Sequence, residues 1–253
     1  MFLSDKEKSN FKVNGFIKKS FFKNDQCNFY RKHFEKLSER YKTLNYKSKL
    51  ADRIMNPHFF DKISRKILLM SNFFSFANEL LKSEVYGVQT MYFDRGSEQN
   101  HHQDDFYLNR TIGFWIALDN VDESNGTLCL QKKSQNYEVI YPENLGVKNP
   151  QNLGDNTHYS KKILDVYQEN KKIRNLSDFI VNLKKGEGVI IDGRLIHWGL
   201  PIKKQRKKRR VLVLHYLDYN SEWPYGNWPL FQKNGEYKVN SFFDKTNLHP
   251  NKI

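Results

Sequence analysis

The sequence predicts an α+β protein with a mainly β core, a sandwich or jelly roll backed by helices from the N-terminal third. Three observations predict it. From Val85 onward the chain breaks into short β-branched and aromatic runs. Turn-rich separators lie between them, among them Arg95-Gly96-Ser97, Glu123-Ser124-Asn125-Gly126 and Lys184-Lys185-Gly186-Glu187-Gly188. Before Val85 the apolar residues recur at three- and four-residue spacing, the mark of helices. Six or more strands with helices segregated to one side form a layered domain around a single core.

Taken in order, Phe11 to Ile17 reads as a short strand-like entry. Helices are expected over Asp25 to Tyr41, Pro57 to Leu69 and Asn72 to Leu81, where Phe29, His33, Phe34 and Leu37, then Phe73, Phe76, Leu80 and Leu81, carry the spacing. Strands are expected at Val85 to Phe93, Thr111 to Leu118, Thr127 to Gln131, Phe179 to Leu183, Gly188 to Ile191 and Val211 to Leu217. The polar stretch from Lys132 to Asp178 shows little periodicity and contains Asn-Pro and Gly-Asp turn signals. At that length it reads as an insert or lid. The tail after Tyr219, rich in Trp, Pro and Tyr, is expected to pack on the domain. The organisation is therefore one domain over 1–253: helical support over 1–83, a core over 84–218 carrying the 132–178 insert, and a C-terminal extension over 219–253.

Composition narrows the classes. With 38% hydrophobic and 15% aromatic residues there is material for a core, which argues against wholesale disorder. No apolar run approaches membrane-spanning length, and the first residues lack a signal-peptide pattern, so a cytoplasmic address is expected. Cys27 and Cys129 have no CxxC spacing and indicate neither a disulfide framework nor a zinc knuckle. The net charge of +14 comes from Lys spread along the chain, which favours solubility over a nucleic-acid footprint. One basic run is concentrated, Lys203-Lys204-Gln205-Arg206-Lys207-Lys208-Arg209-Arg210, and its end has a local reading given below.

The chemistry centres on His102-Gln103-Asp104. A His and a carboxylate two residues apart on an extended strand face the same side and can share a metal, while His101 and Asp105 face away. A distant His would complete a 2-His-1-carboxylate face, which leaves positions open on non-haem Fe(II) and suits O2 activation. Among His33, His58, His101, His158, His197, His215 and His249, His197 stands out. It follows the apolar strand Val189-Ile190-Ile191 and the bend Asp192-Gly193-Arg194, and would enter the mouth of a jelly roll. In the strand that begins at Arg209-Arg210, one Arg faces inward with Val211 and Val213 while the other faces out. An inward Arg suits the distal carboxylate of 2-oxoglutarate.

Together these residues resemble the phytanoyl-CoA dioxygenase-like (PhyH) Fe(II)/2-oxoglutarate-dependent oxygenases over about Gly87 to Tyr216. The resemblance runs through Arg95-Gly96-Ser97-Glu98-Gln99, His102-Gln103-Asp104, Phe114-Trp115-Ile116-Ala117-Leu118-Asp119, Asn125-Gly126-Thr127-Leu128, Gly186-Glu187-Gly188-Val189-Ile190 before His197, and the closing strand to His215-Tyr216. It implies a cupin-like double-stranded β-helix (jelly roll), with iron on His102, Asp104 and His197, 2-oxoglutarate on Arg209 rather than Arg210, and Gln89 and Trp115 as pocket walls. It also implies a small-molecule substrate, anionic or CoA-linked, and hydroxylation with release of succinate and CO2. Retention of Asp104 argues against halogenation. Two departures from the family pattern are Gln131-Lys132-Lys133-Ser134-Gln135 after the Asn-Gly turn and Gly199 two positions after the distal His. The competing readings are an oxygenase for a macromolecular or carrier-tethered substrate, and a non-catalytic basic binding protein on the same fold.

Overall fold

The computed structural model describes residues 2–43, 53–96, 99–141, 157–203, 208–221 and 228–238. Strands β3 (Val85–Phe93), β4 (Thr111–Ala117) and β9 (Val211–Asp218) form the middle of an eight-stranded antiparallel sheet. β4 and β9 are buried along their whole length, which is why they read as continuous apolar runs although the sheet is antiparallel. The order across the sheet is β1 (Phe16–Ser20), β7 (Glu187–Asp192), β4, β9, β3, β10 (Leu230–Phe231) and β11 (Tyr237–Lys238), with β2 (Arg53–Met55) also paired to β3. A three-stranded sheet, β6 (Asp178–Ile180), β5 (Leu128–Gln131) and β8 (His197–Gly199), completes the jelly roll. From β4 to β9 the chain crosses repeatedly between the two sheets, so both contribute residues to one interior.

Alternation divides the large sheet cleanly. Phe93, Trp115, Ala117, Val189, Val211 and Val213 face inward and pack with Leu128 and Leu130 of the small sheet. Tyr92, Ile112, Phe114, Ile116, Leu212, Leu214 and Tyr216 face outward into a second core shared with the helices. There Phe34 of α2 (Asn24–Thr43) stacks on Tyr92 with ring centres 4.9 Å apart. Phe73 and Phe74 of α4 (Ser71–Leu81) meet Phe114 and Tyr216 edge-on at 5.1 and 5.0 Å. The helices thus stiffen the outer face while the inner face is left for a site.

Several boundaries depart from the sequence reading. Phe11 belongs to a helix, α1 (Asp5–Asn14), and the strand begins only at Phe16. Ser4 and Glu7 form a reciprocal capping box, and Gly15 at φ 81° ends the helix, two local signals that outweigh the aromatic run. The expected helix over 57–69 is a 3₁₀ turn, Pro57–Phe59, followed by α3 (Lys62–Leu68), because Asp61 accepts from Ser64 N (2.7 Å) and starts the helix afresh. The polar insert contains a long helix, α6 (Thr157–Ile173), anchored by Ile163 and Tyr167 one turn apart. Residues 142–156 of that insert and 222–227 of the tail lie outside the described residues. No helix among the described residues is long and apolar enough to cross a membrane.

His58, fully buried against Phe59 and Phe231, has its pKa driven well below 6.5 by burial and then by Arg65. The folded chain therefore keeps it neutral while the unfolded chain takes up a proton below about pH 6.5. The stability it contributes is present above that pH and is lost as pH falls. Between pH 7.5 and 5.5, His58→Phe should lose about 1 kcal/mol less unfolding free energy than the unsubstituted chain, measured by urea denaturation.

Candidate metal centre

His102 and His197 are held side by side by a single antiparallel bridge. Each backbone N–H donates to the other residue's carbonyl at 3.0 Å, and the rings lie 4.2 Å apart. Asp104 does not share that strand. Its backbone is helical (φ −66°, ψ −33°), and it leads into the one-turn helix α5 (Asp105–Leu108), with Leu108 N–H donating to its carbonyl. Strand alternation therefore does not place Asp104 beside His102; a turn does. Gln103, between them, is turned away, donating to Arg194 O (2.7 Å) and accepting from Tyr167 Oη (3.0 Å).

The three side chains nevertheless converge. Asp104 Oδ1 lies 3.8 Å from His102 Nε2, Asp104 Oδ2 lies 3.7 Å from His197 Nε2, and one ligand atom from each falls within 4.8 Å of the others. His102 Nδ1–H donates to Asn100 O (2.7 Å) and His197 Nδ1–H to Leu195 O (2.9 Å), so both Nε2 lone pairs face the cluster. The Gln99 side-chain amide donates to His102 Nε2 at 3.0 Å and would have to yield that lone pair to a metal. Burial, reinforced by His197, pushes His102 down to about 3. Burial alone would raise the Asp104 carboxyl, but His197 and His215 outweigh it and hold it below the usual carboxylate range. A neutral His102 imidazole and an ionised Asp104 carboxylate are donor states that a divalent metal requires. The set fits non-haem iron. With 14% and 13% of their side chains exposed, His102 and Asp104 remain reachable from solvent.

The neighbours of the tripeptide stand apart. His101 stacks on Trp198 with centres 3.9 Å apart. Asp105 turns back to accept from Thr111 N (2.7 Å), its carboxyl pushed up to about 7 by burial and by Asp192. His33 pairs with Asp61 at 3.0 Å and His58 with Thr90 Oγ1 at 2.8 Å; the His158 side chain and His249 lie outside the described residues.

Arg209 points inward and is 1% exposed. Its guanidinium sits 5.2 Å from the Trp115 ring centre and 5.7 Å from that of Phe93, donating to Gly126 O and to Arg95 O (3.1 Å). Among the described residues no carboxylate pairs with it and its buried Nε has no partner, while burial lowers its pKa to about 9. A buried cation without a counter-charge is costly, and a planar ligand carboxylate would offset that cost. Arg210 faces out to Asp119 (2.7 Å) and Glu35, a structural ion cluster. The basic run is thereby divided between an interior anchor and a surface tie: Lys203 meets Glu123 at 3.1 Å and Lys208 meets Asp94 at 3.8 Å, while 204–207 lie outside the described residues. Gln89 lies beside a bulge in β3, across from His215, and with Trp115 lines the same inner face.

One residue beside the cluster was not singled out in the sequence. His215 Nε2 lies 3.1 Å from Asp104 Oδ2. The signal was available, because alternation from Arg209 through Val211 and Val213 brings His215 to the same inner face.

A family model described as phytanoyl-CoA dioxygenase (PhyH) matches residues 11–211. No curated protein matches the chain. Among solved structures, EctD from S. alaskensis with 2-oxoglutarate and 5-hydroxyectoine is 16% identical over 88% of this chain and 80% of its own, with TM-score 0.69. The carbocyclase SnoK from nogalamycin biosynthesis, described as non-haem and α-ketoglutarate dependent, is 14% identical over 85% and 84%, with TM-score 0.67. The epimerase SnoN, from the same biosynthesis and solved with Fe3+, α-ketoglutarate and nogalamycin RO, is 12% identical over 88% and 86%, with TM-score 0.65. At these identities the likeness is one of fold.

Proposed function

The chain belongs to the phytanoyl-CoA dioxygenase (PhyH) family, and from that premise we propose that it is an Fe(II)- and 2-oxoglutarate-dependent oxygenase acting on a small molecule. One observation carries the reading: the three-residue ligand cluster shares a jelly-roll interior with a buried arginine that has no carboxylate partner among the described residues. The crystallisation of SnoN with iron and α-ketoglutarate, and of EctD with 2-oxoglutarate, supports it.

His102, Asp104 and His197 would hold the iron, a three-donor set that would leave room for cosubstrate and O2. Bound iron with 2-oxoglutarate supplies an oxidant able to break a C–H bond, while 2-oxoglutarate ends as succinate and CO2. Arg209 binds the distal carboxylate of 2-oxoglutarate, and Phe93 and Trp115 shield that ion pair from water, which strengthens it. Trp115 and Gln89 wall the pocket. Retained Asp104 keeps the third protein position filled, which favours hydroxylation over halogenation; desaturation or ring closure would need only a different seating of the substrate. Metabolites that are anionic or CoA-linked are the first class to screen, given the net positive charge.

The test is a screen for succinate formation dependent on both Fe(II) and 2-oxoglutarate across such metabolites. The reading expects one class to raise turnover at least about tenfold above the substrate-free rate, the scale at which about 1.4 kcal/mol of the barrier is removed. A protein that forms no succinate under any condition would contradict it.

A further inference from the structure

We propose that His215 is a positioning residue that fixes the Asp104 carboxylate for monodentate metal binding, an inference that rests on the iron reading above. His215 stands on β9, between β3 and β4 in the most buried part of the large sheet, and is 3% exposed. Asp104 stands at the turn before a one-turn helix, outside any ladder, so its backbone lacks the restraint that the bridge gives His102 and His197. The bond from His215 Nε2 to Asp104 Oδ2 (3.1 Å) ties this least restrained ligand to the rigid centre of the fold.

Three details support the assignment. First, a carboxylate oxygen only accepts, so the proton of the bond is carried on His215 Nε2. Donation to Oδ2, the oxygen on the His197 side, leaves Oδ1, 3.8 Å from His102 Nε2, as the free donor for a metal. Second, His215 Nδ1 is buried without a partner, so among the described residues the bond to Asp104 is the ring's one polar attachment. Third, Gly113 lies opposite His215 in register, and a Cβ there would stand 3.4 Å from Asp104 Oδ2 and equally close to the His215 ring. The two side chains thus meet within van der Waals reach of the β4 backbone. His215 is also outside the three-residue ligand cluster, in keeping with a partner of a ligand instead of a fourth ligand. Hydrogen bonds of this kind set the orientation of a metal-binding carboxylate and usually change metal affinity when lost.

The test is anaerobic calorimetric titration of the full chain with Fe(II), alongside melting of the metal-free protein. His215→Phe keeps a flat ring but removes the donor, and is expected to weaken Fe(II) binding about 10- to 100-fold. His215→Gln keeps an N–H and is expected to stay within about threefold of the unsubstituted chain, since the orienting bond survives. If His215→Phe binds Fe(II) normally, or if His215→Gln loses as much affinity as His215→Phe, the positioning role is overturned and the iron reading stands. If the unsubstituted chain binds no Fe(II), the iron reading falls and takes this role with it. Should His215→Phe fail to fold, His215→Leu replaces it with the same expectation.

Discussion

Asp104→Ala is expected to weaken Fe(II) binding by more than about 100-fold and to abolish 2-oxoglutarate turnover. Two imidazoles remain after the change, and they lack both the negative charge and the third donor that hold a hard divalent ion. The effect should exceed that of changing His215, because a ligand is lost and not merely its orientation. The fold should survive, since the bridge between His102 and His197 is made by backbone groups and does not involve the carboxylate. Calorimetric titration and circular dichroism on the same sample separate the two effects. Retained Fe(II) affinity in a folded Asp104→Ala protein would remove Asp104 from the ligand set.

Arg209→Met should raise the 2-oxoglutarate dissociation constant by about 100-fold, the loss expected when a buried bidentate charge-assisted pair worth about 2–3 kcal/mol is removed. Methionine fills much of the slot between Phe93 and Trp115, so packing is largely kept. The measurement is the rise in melting temperature on adding 2-oxoglutarate with metal. A ligand at a hundred times its dissociation constant stabilises the folded state by about 2.7 kcal/mol, and in the variant that rise should nearly vanish. An equivalent change at Arg210 should leave the ligand-induced rise intact, because Arg210 faces Asp119 and Glu35 on the outside. Were Arg210→Met to abolish the rise and Arg209→Met to spare it, the two assignments would be exchanged.

The layered architecture was legible because the large-sheet strands are continuous apolar runs with Gly-rich separators, and β3 and β9 fall within a residue of their expected bounds. The short pairings were not. β2, β8, β10 and β11 each span two or three residues and exist only because a long strand or a neighbouring hairpin offers a ladder. Helix α6 was hidden by its polarity, since among its described side chains only Ile163 and Tyr167 are buried. At the site, His102 and His197 were legible as residues after turns at the mouth of the barrel. Asp104 was reached by an argument whose geometry differs from the actual one: period-two alternation suggested a shared face, but a helical turn delivers the carboxylate. His215 was missed although the reasoning that turned Arg209 inward extends directly to it.

The inner face of this jelly roll gathers a ligand set on one side and, on another, a buried arginine with no carboxylate partner among the described residues; the central claim is that iron and 2-oxoglutarate bridge them. The most direct measurement is the visible spectrum of the protein after anaerobic addition of Fe(II) and 2-oxoglutarate. The account predicts a weak charge-transfer band in the unsubstituted protein that is lost in His102→Ala. No band in the unsubstituted protein, or an undiminished band in His102→Ala, would contradict it.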